Sequence, residues 1–197
     1  MVSGVEVKLW PQKKWKQILL AIFLVIVIVL AVFVAYIGFN LNKDVVSGID
    51  TLNPQGSKTA LIVYQPGLSS FPKDTSYAFG NGLVEAGWKV EITTASPQAP
   101  KELSNYSLLV LGFPTYGSQP GTAIVRYLDR LGNLNGIDTV LVSCAAGNAN
   151  ESAAVIQQKV QSESSTVKES ICLTSMAPNE GGTATDIAKQ AGLKIMP

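Results

Sequence analysis

The chain has 197 residues, a formal net charge of +1, two cysteines and no histidine. The lack of histidine excludes a histidine-based catalytic triad and an imidazole metal site, and two cysteines far apart do not make a zinc motif. The charged residues do not form the clustered basic face that nucleic-acid binding requires, so we expect no nucleic-acid partner.

Residues 18–39 read ILLAIFLVIVIVLAVFVAYIGF and lie in a stretch that has no charge between Lys16 and Lys43. About 20 apolar residues, at a rise of about 1.5 Å each, cross a hydrocarbon core of about 30 Å. A water-soluble domain of this size has no need of a helix that is apolar on every side. The sequence therefore predicts one transmembrane helix over residues 18–39, preceded by a basic arm over residues 1–17, and a chain held in the lipid bilayer.

The charges on either side of this segment indicate an orientation. Four lysines precede it, at positions 8, 13, 14 and 16, and only Lys43 follows closely. The positive-inside rule then places the N-terminus in the cytoplasm and the C-terminal domain outside it, as a single-pass protein. Trp10, Trp15 and Tyr36 lie near the two ends, where aromatic rings favour the interface. The alternatives are a cleaved signal peptide, whose apolar region is shorter at about 7–15 residues, and a buried helix of a soluble protein.

Beyond this segment, the sequence predicts a polar linker over residues 40–57 and one domain over residues 58–197. Apolar runs predict strands at residues 59–64, 88–94, 107–112, 138–143 and 170–174. Helical patterns lie between strands at residues 74–87, 122–131 and 151–161, the third with Asn150 as its predicted N-cap, and a last one follows the fifth strand at residues 185–190. This alternation predicts an α/β domain with a doubly wound, five-stranded parallel sheet.

Ligands of such sheets bind beyond the carboxyl ends of the strands, where residues 65–73, 113–120 and 144–149 form loops. The first loop leads into a helix N-terminus suited to phosphate, with Ser69, Ser70 and Lys73 as candidate donors; an ordinary Ser-capped turn is the alternative. Tyr116 in the second loop is suited to stacking on a planar ring, or is a packed turn residue. The third loop contains Gly147 and Asn148, which are also typical of a tight turn.

The two cysteines, Cys144 and Cys172, fall in or at the ends of predicted strands. A disulfide between them and a pair of free thiols both remain open from the sequence, and a buried free thiol is the commoner outcome at such positions.

Residues 58–197 resemble the flavodoxin family. The most specific stretch is YSLLVLGFPTYGSQPGTAIVRYLDRL at residues 106–131, in which residues 112–116 match the Gly-x-Pro-Thr-Tyr signature of the third strand and flavin loop. The stretch NLNGIDTVLVSCAAGN at residues 133–148 matches the family's fourth strand and third flavin loop. The resemblance implies the strand order 2-1-3-4-5, non-covalently bound FMN, and one- or two-electron transfer.

The resemblance also implies roles for particular residues. Ser69, Ser70 and Lys73 are expected to hold the phosphate, and the following residues are expected to flank the flavin ring: Pro114, Thr115, Tyr116, Gly117, Cys144, Ala145, Ala146, Gly147 and Asn148. The family's Ser/Thr-x-Thr-Gly-x-Thr phosphate loop is replaced here by QPGLSSFPK, whose two prolines remove two N–H donors. Some members of the family have a similar Pro-Gly-Leu-Ser loop.

The expected function is therefore a membrane-anchored flavodoxin-like protein that binds FMN and exchanges electrons with a membrane or soluble redox protein. Two alternatives remain from the sequence. One is a flavin-free interaction or assembly module at the membrane, because a fold does not fix a function. The other is a flavin-dependent quinone or metal reductase.

Overall fold

The computed structural model describes residues 13–197; Lys8, Trp10 and the rest of residues 1–12 lie outside the described residues. The chain divides into two compact units, Met1–Asn40 and Leu41–Pro197. The first contains most of helix α1, Lys14–Asn42, which has no buried residue. At about 1.5 Å per residue its 29 residues extend about 44 Å, so it is longer than the predicted segment at both ends. α1 is long and apolar enough to cross a membrane, and a signal sequence near an N-terminus meets the same two criteria.

The second unit is a sheet with helices on both faces. Its elements in chain order are β1 (Asp50–Leu52), β2 (Thr59–Tyr64), α2 (Phe71–Glu85), β3 (Lys89–Thr94), β4 (Leu108–Tyr116), β5 (Gln119–Pro120), α3 (Thr122–Leu131), β6 (Asp138–Ala145), α4 (Asn150–Ser162), β7 (Thr166–Thr174) and α5 (Ala184–Lys194). Strands β3, β2, β4, β6 and β7 lie side by side in that order and are all parallel. Counted along the chain this order is 2-1-3-4-5, which confirms the predicted α/β architecture.

Both faces of the sheet are buried, which explains why its central strands are apolar at nearly every position. Successive side chains of β2 point to opposite faces, so Ile62 packs with Phe79 of α2 while Val63 packs with Ile124 of α3. Helices α2 and α5 cover the first face, and α3 and α4 cover the second.

Helices α2 and α5 cross at two glycines. A Cβ atom placed on Gly82 would lie 2.1 Å from the carbonyl oxygen of Lys189, and one on Gly192 would lie 2.2 Å from that of Phe79. The two backbones are therefore in direct contact, and neither position has room for a side chain.

Several predicted boundaries differ from the structure: α2 begins at Phe71 and not at residue 74, β7 begins at Thr166 and not at residue 170, and α5 ends at Lys194 and not at residue 190. Three further differences change the local structure. The predicted linker contains a strand, since residues 50–52 pair antiparallel with β3 at the edge of the sheet. Strand β4 runs on to Tyr116 and turns back into β5, where the sequence predicted a loop from residue 113. The predicted N-cap Asn150 is the first residue of α4; its N–H instead donates to Oδ1 of Asn148 at 2.8 Å.

Candidate functional site

A cavity of about 290 Å³ lies at the carboxyl ends of β2, β4, β6 and β7. Seven of the twelve predicted site residues line it: Ser69, Pro114, Thr115, Tyr116, Cys144, Ala145 and Ala146. Six further residues line it: Gly67, Leu68, Phe71 and Pro72, which belong to the predicted first loop but were not named as site residues, and Ser175 and Met176, which lie outside the predicted loops. The last two come from a fourth loop, which follows β7.

The other five predicted residues lie outside the cavity lining. The ammonium group of Lys73 lies 5.6 Å from the ring centroid of Tyr77, in a cation–π contact. Ser70 is the exposed N-cap residue of α2 and makes no side-chain cap bond, and Gly117 and Gly147 are exposed turn residues. The side chain of Asn148 accepts the Asn150 N–H.

The β4–β5 hairpin sets the orientation of Tyr116. Gly117 and Ser118 both have positive φ, 54° and 66°, as the tight two-residue turn between β4 and β5 requires. The turn directs Tyr116 toward the first loop, where the Leu68 N–H donates to its hydroxyl oxygen at 3.0 Å. Burial raises the pKa of this phenol, so it is neutral at physiological pH. Tyr116 therefore joins the first and second loops across the cavity.

Gln65, the first residue after β2, caps the start of α3, the helix that follows the second loop. Its Oε1 accepts from the N–H groups of Ala123 and Ile124 at 2.9 and 3.1 Å, which satisfies free donors at the start of α3. A Cβ on Gly121 would lie 2.3 Å from that oxygen, so a side chain there would displace the Gln65 amide from the start of α3. The N-terminus of α3 is therefore capped by the protein itself, while that of α2 faces the cavity through Phe71 and Pro72.

The third loop is held to the fourth by backbone bonds, since Ser175 and Met176 donate to the carbonyls of Ala145 and Ala146 at 2.9 and 3.0 Å. Both cysteines are free thiols, and Cys144 is buried. Ser143, not Cys144, is opposite Cys172 in the β6–β7 register, so the two thiols point to opposite faces of the sheet. This explains why the pairing that the sequence left open is absent.

Cys144 is expected to make the stability of the domain depend on pH. Burial raises the pKa of its thiol to about 12, although a 3.2 Å hydrogen bond with Thr75 Oγ1 opposes the shift. The pKa of a thiol in an unfolded chain is about 8.5, so above that pH the unfolded chain loses a proton that the folded chain keeps. We expect the free energy of unfolding to fall by up to about 1.4 kcal/mol per pH unit from this group between about pH 8.5 and 12. Chemical denaturation of the wild type and Cys144→Ser across this range checks it; equal slopes for the two proteins would refute it.

The cavity has groups suited to both parts of a flavin nucleotide. Tyr116, Leu68 and Met176 offer flat or apolar surface to a ring, and the hydroxyl of Ser69 lies beside the start of α2, where a phosphate is favoured. Thr115 is less available, because its hydroxyl is hydrogen-bonded to Ser152. The volume is at the small end of ligand sites, which are typically about 300–1,000 Å³.

A larger cleft of about 770 Å³ lies at the opposite edge, between residues 101–107 and residues 131–138. These segments precede β4 and β6, so the cleft is at the amino ends of the strands, away from the edge where open parallel sheets bind ligands. Within residues 13–197, no group of three or more acidic or cysteine side chains is placed to hold a metal ion.

No family model and no curated protein matches the chain, but many solved structures do. A flavodoxin from the domain Archaea is 20% identical with a TM-score of 0.57, over 68% of this chain and 94% of that chain. The two-electron reduced flavodoxin of Megasphaera elsdenii is 18% identical with a TM-score of 0.58, over 69% and 99%. An NAD(P)H:quinone oxidoreductase from Methanothermobacter marburgensis is 17% identical with a TM-score of 0.50, over 70% and 98%. The chain therefore has a flavodoxin-like fold, as its sequence predicted.

Proposed function

We propose that this chain is a membrane-anchored flavodoxin-like protein that binds FMN non-covalently and exchanges electrons with a redox partner at the membrane. The observation that carries the proposal is the cavity in which the loops after β2, β4, β6 and β7 converge. It is supported by the similarity of the fold to two flavodoxins and a quinone oxidoreductase.

The residues of the cavity divide between the two ends of the nucleotide. Tyr116 and the segment from Cys144 to Ala146 would flank the ring, with Leu68 and Met176 at its exposed edge. Ser69 and the backbone amides of the first loop would hold the phosphate, and Lys73 would add a positive charge from the first turn of α2. The flavin would supply the one- or two-electron chemistry, while the protein binds and orients it and excludes water.

Anchoring would be provided by α1, which is apolar from Ile18 to Phe39 and has no buried residue. Lys13, Lys14 and Lys16 at its start favour a cytoplasmic N-terminus, and the domain would then be extracytoplasmic.

One observation favours a second candidate, a flavin-free interaction module at the membrane. The Leu68 N–H, which a phosphate could use, already donates to Tyr116, and Pro66 and Pro72 supply no N–H groups to the first loop. In this candidate the Tyr116 bond permanently closes the first loop.

Adjacent serines provide a matched test of phosphate binding. We expect Ser69→Ala to weaken FMN about fivefold, the value of one typical hydrogen bond, and to leave riboflavin unchanged because riboflavin has no phosphate. Ser70→Ala is the control, since Ser70 lies outside the cavity lining. Flavin fluorescence titrations of the detergent-solubilised full chain give the FMN and riboflavin affinities of the wild type and of both variants. An equal loss of FMN and riboflavin, or an equal effect of both serines, would contradict the assignment of Ser69.

A further inference from the structure

The segment that follows α1 forms side-chain contacts with the domain from its second residue, Asp44, onward. Asp44, two residues after the end of α1, forms an ion pair with Arg126 at 2.5 Å. The Thr94 hydroxyl donates to the Val45 carbonyl at 2.5 Å and accepts from the Ser47 N–H at 3.0 Å. The Thr94 N–H in turn donates to the Ser47 hydroxyl at 3.1 Å. We call these contacts of residues 44–47 with Thr94 and Arg126 the tether clamp.

The tether clamp lies at the same edge of the domain as the candidate site. Thr94 is the last residue of β3, and it pairs with Tyr64, the last residue of β2. Arg126 is in the second turn of α3, which begins directly after the hairpin that carries Tyr116. The chain therefore enters the domain at its carboxyl edge, where the cavity opens.

This edge also exposes apolar side chains. Leu68 and Met176, which line the cavity, are 60% and 86% exposed, and Val45 and Val46 of the clamped segment are exposed as well. At about 4.8 Å between neighbouring strands, the four steps from β3 to β7 spread these side chains across about 19 Å. A row of exposed apolar groups beside a membrane attachment point is suited to the interfacial layer of a bilayer.

The charges at this edge do not favour anionic headgroups. Asp74 and Glu151 lie in the first turns of α2 and α4, which both begin there, and Lys73 is the one cation in those two turns, so they carry no excess of positive charge. Contact with a bilayer would therefore depend on apolar burial, and zwitterionic lipid is the suitable probe.

We propose that the carboxyl edge of the domain rests on the bilayer surface, with Leu68 and Met176 in the interfacial layer and the mouth of the cavity turned toward the lipid. This rests on the membrane anchoring in the proposed function, but not on flavin binding. Any ligand or partner of the cavity would then reach it from the membrane and not from bulk solvent.

Site-directed labelling of the full chain tests this placement. Fluorophores are attached at Leu68→Cys, Met176→Cys and, as the control at the opposite edge, Glu102→Cys, all with Cys172→Ser; Cys144 is buried. The proteins are placed in phosphatidylcholine nanodiscs with spin-labelled headgroups, and only chains that co-elute with the discs are measured. We expect several-fold stronger quenching at positions 68 and 176 than at 102.

A second variant tests the tether clamp itself. Thr94→Val with Asp44→Asn removes the two bonds of the Thr94 hydroxyl and the ion pair with Arg126 while conserving side-chain size. We expect this variant to reduce the difference in quenching between the two edges several-fold. Equal quenching at all three positions in disc-embedded protein would overturn the proposal. It would also be overturned if the double variant kept the full difference in quenching between positions 68 and 176 and position 102. Failure of the chain to co-elute with the discs would instead refute the anchoring on which the proposed function depends.

Discussion

Replacing Tyr116 with alanine is expected to weaken FMN binding about 30-fold. The ring lines the cavity and joins the first two loops, so its removal takes away about 2 kcal/mol of apolar contact, the usual value for an aromatic side chain. The effect should be similar for FMN and riboflavin, because the ring, and not the phosphate, is the group contacted. Titration of flavin fluorescence with the full-length protein in detergent measures both affinities.

Tyr116→Phe is the matched control for this variant. It keeps the ring and removes only the oxygen that accepts the Leu68 N–H, so we expect an affinity close to that of the wild type. Unchanged FMN affinity in Tyr116→Ala would remove Tyr116 from the site. Tighter binding in both variants would show that Tyr116 closes the loop against ligands, as the flavin-free candidate requires.

Gly82→Ala is expected to lower the free energy of unfolding by about 3 kcal/mol, at the upper end of the usual cost of overpacking. Alanine in a helix interior would by itself stabilise α2 by about 1 kcal/mol. The added Cβ, however, would lie 2.1 Å from the Lys189 carbonyl oxygen and 2.8 Å from the Leu193 nitrogen. Both are backbone atoms, so α5 would have to shift as a whole and separate from the sheet.

Gly48→Ala is the control for this prediction, because no atom lies within 4 Å of its added Cβ and its φ is not in the left-handed region. Chemical denaturation of both variants in the full-length chain gives the comparison. A Gly82→Ala protein as stable as the wild type would show that α2 and α5 are not in backbone contact.

The architecture was predictable because each element carries its own signal. Residues 59–64 are continuously apolar, as a strand buried on both faces must be, and α3 has its apolar residues on a single face. Strand β1 gave no such signal, because Asp50–Leu52 is a short edge strand whose side chains are largely exposed. Its position depends on pairing with β3, which is a tertiary effect.

The candidate site was predictable in part. The three loops were found because parallel strands place their ligands at one edge, but Ser175 and Met176 follow a strand with weak apolar patterning and were missed. The side chain of Lys73 is placed by its contact with the ring of Tyr77 one helical turn later. The direction of the Tyr116 side chain is set by the hairpin turn at Gly117. The tether clamp joins residues about 50 to 80 positions apart, a separation that local patterning does not indicate.

The most direct test of flavin binding is the absorbance spectrum of the full-length protein purified in detergent, recorded before and after addition of FMN and accompanied by the fluorescence of the added FMN. We expect flavin absorbance bands that remain with the protein through gel filtration, and quenched fluorescence of FMN at micromolar protein. Absence of both the bands and the quenching would contradict FMN binding and favour the flavin-free interaction module.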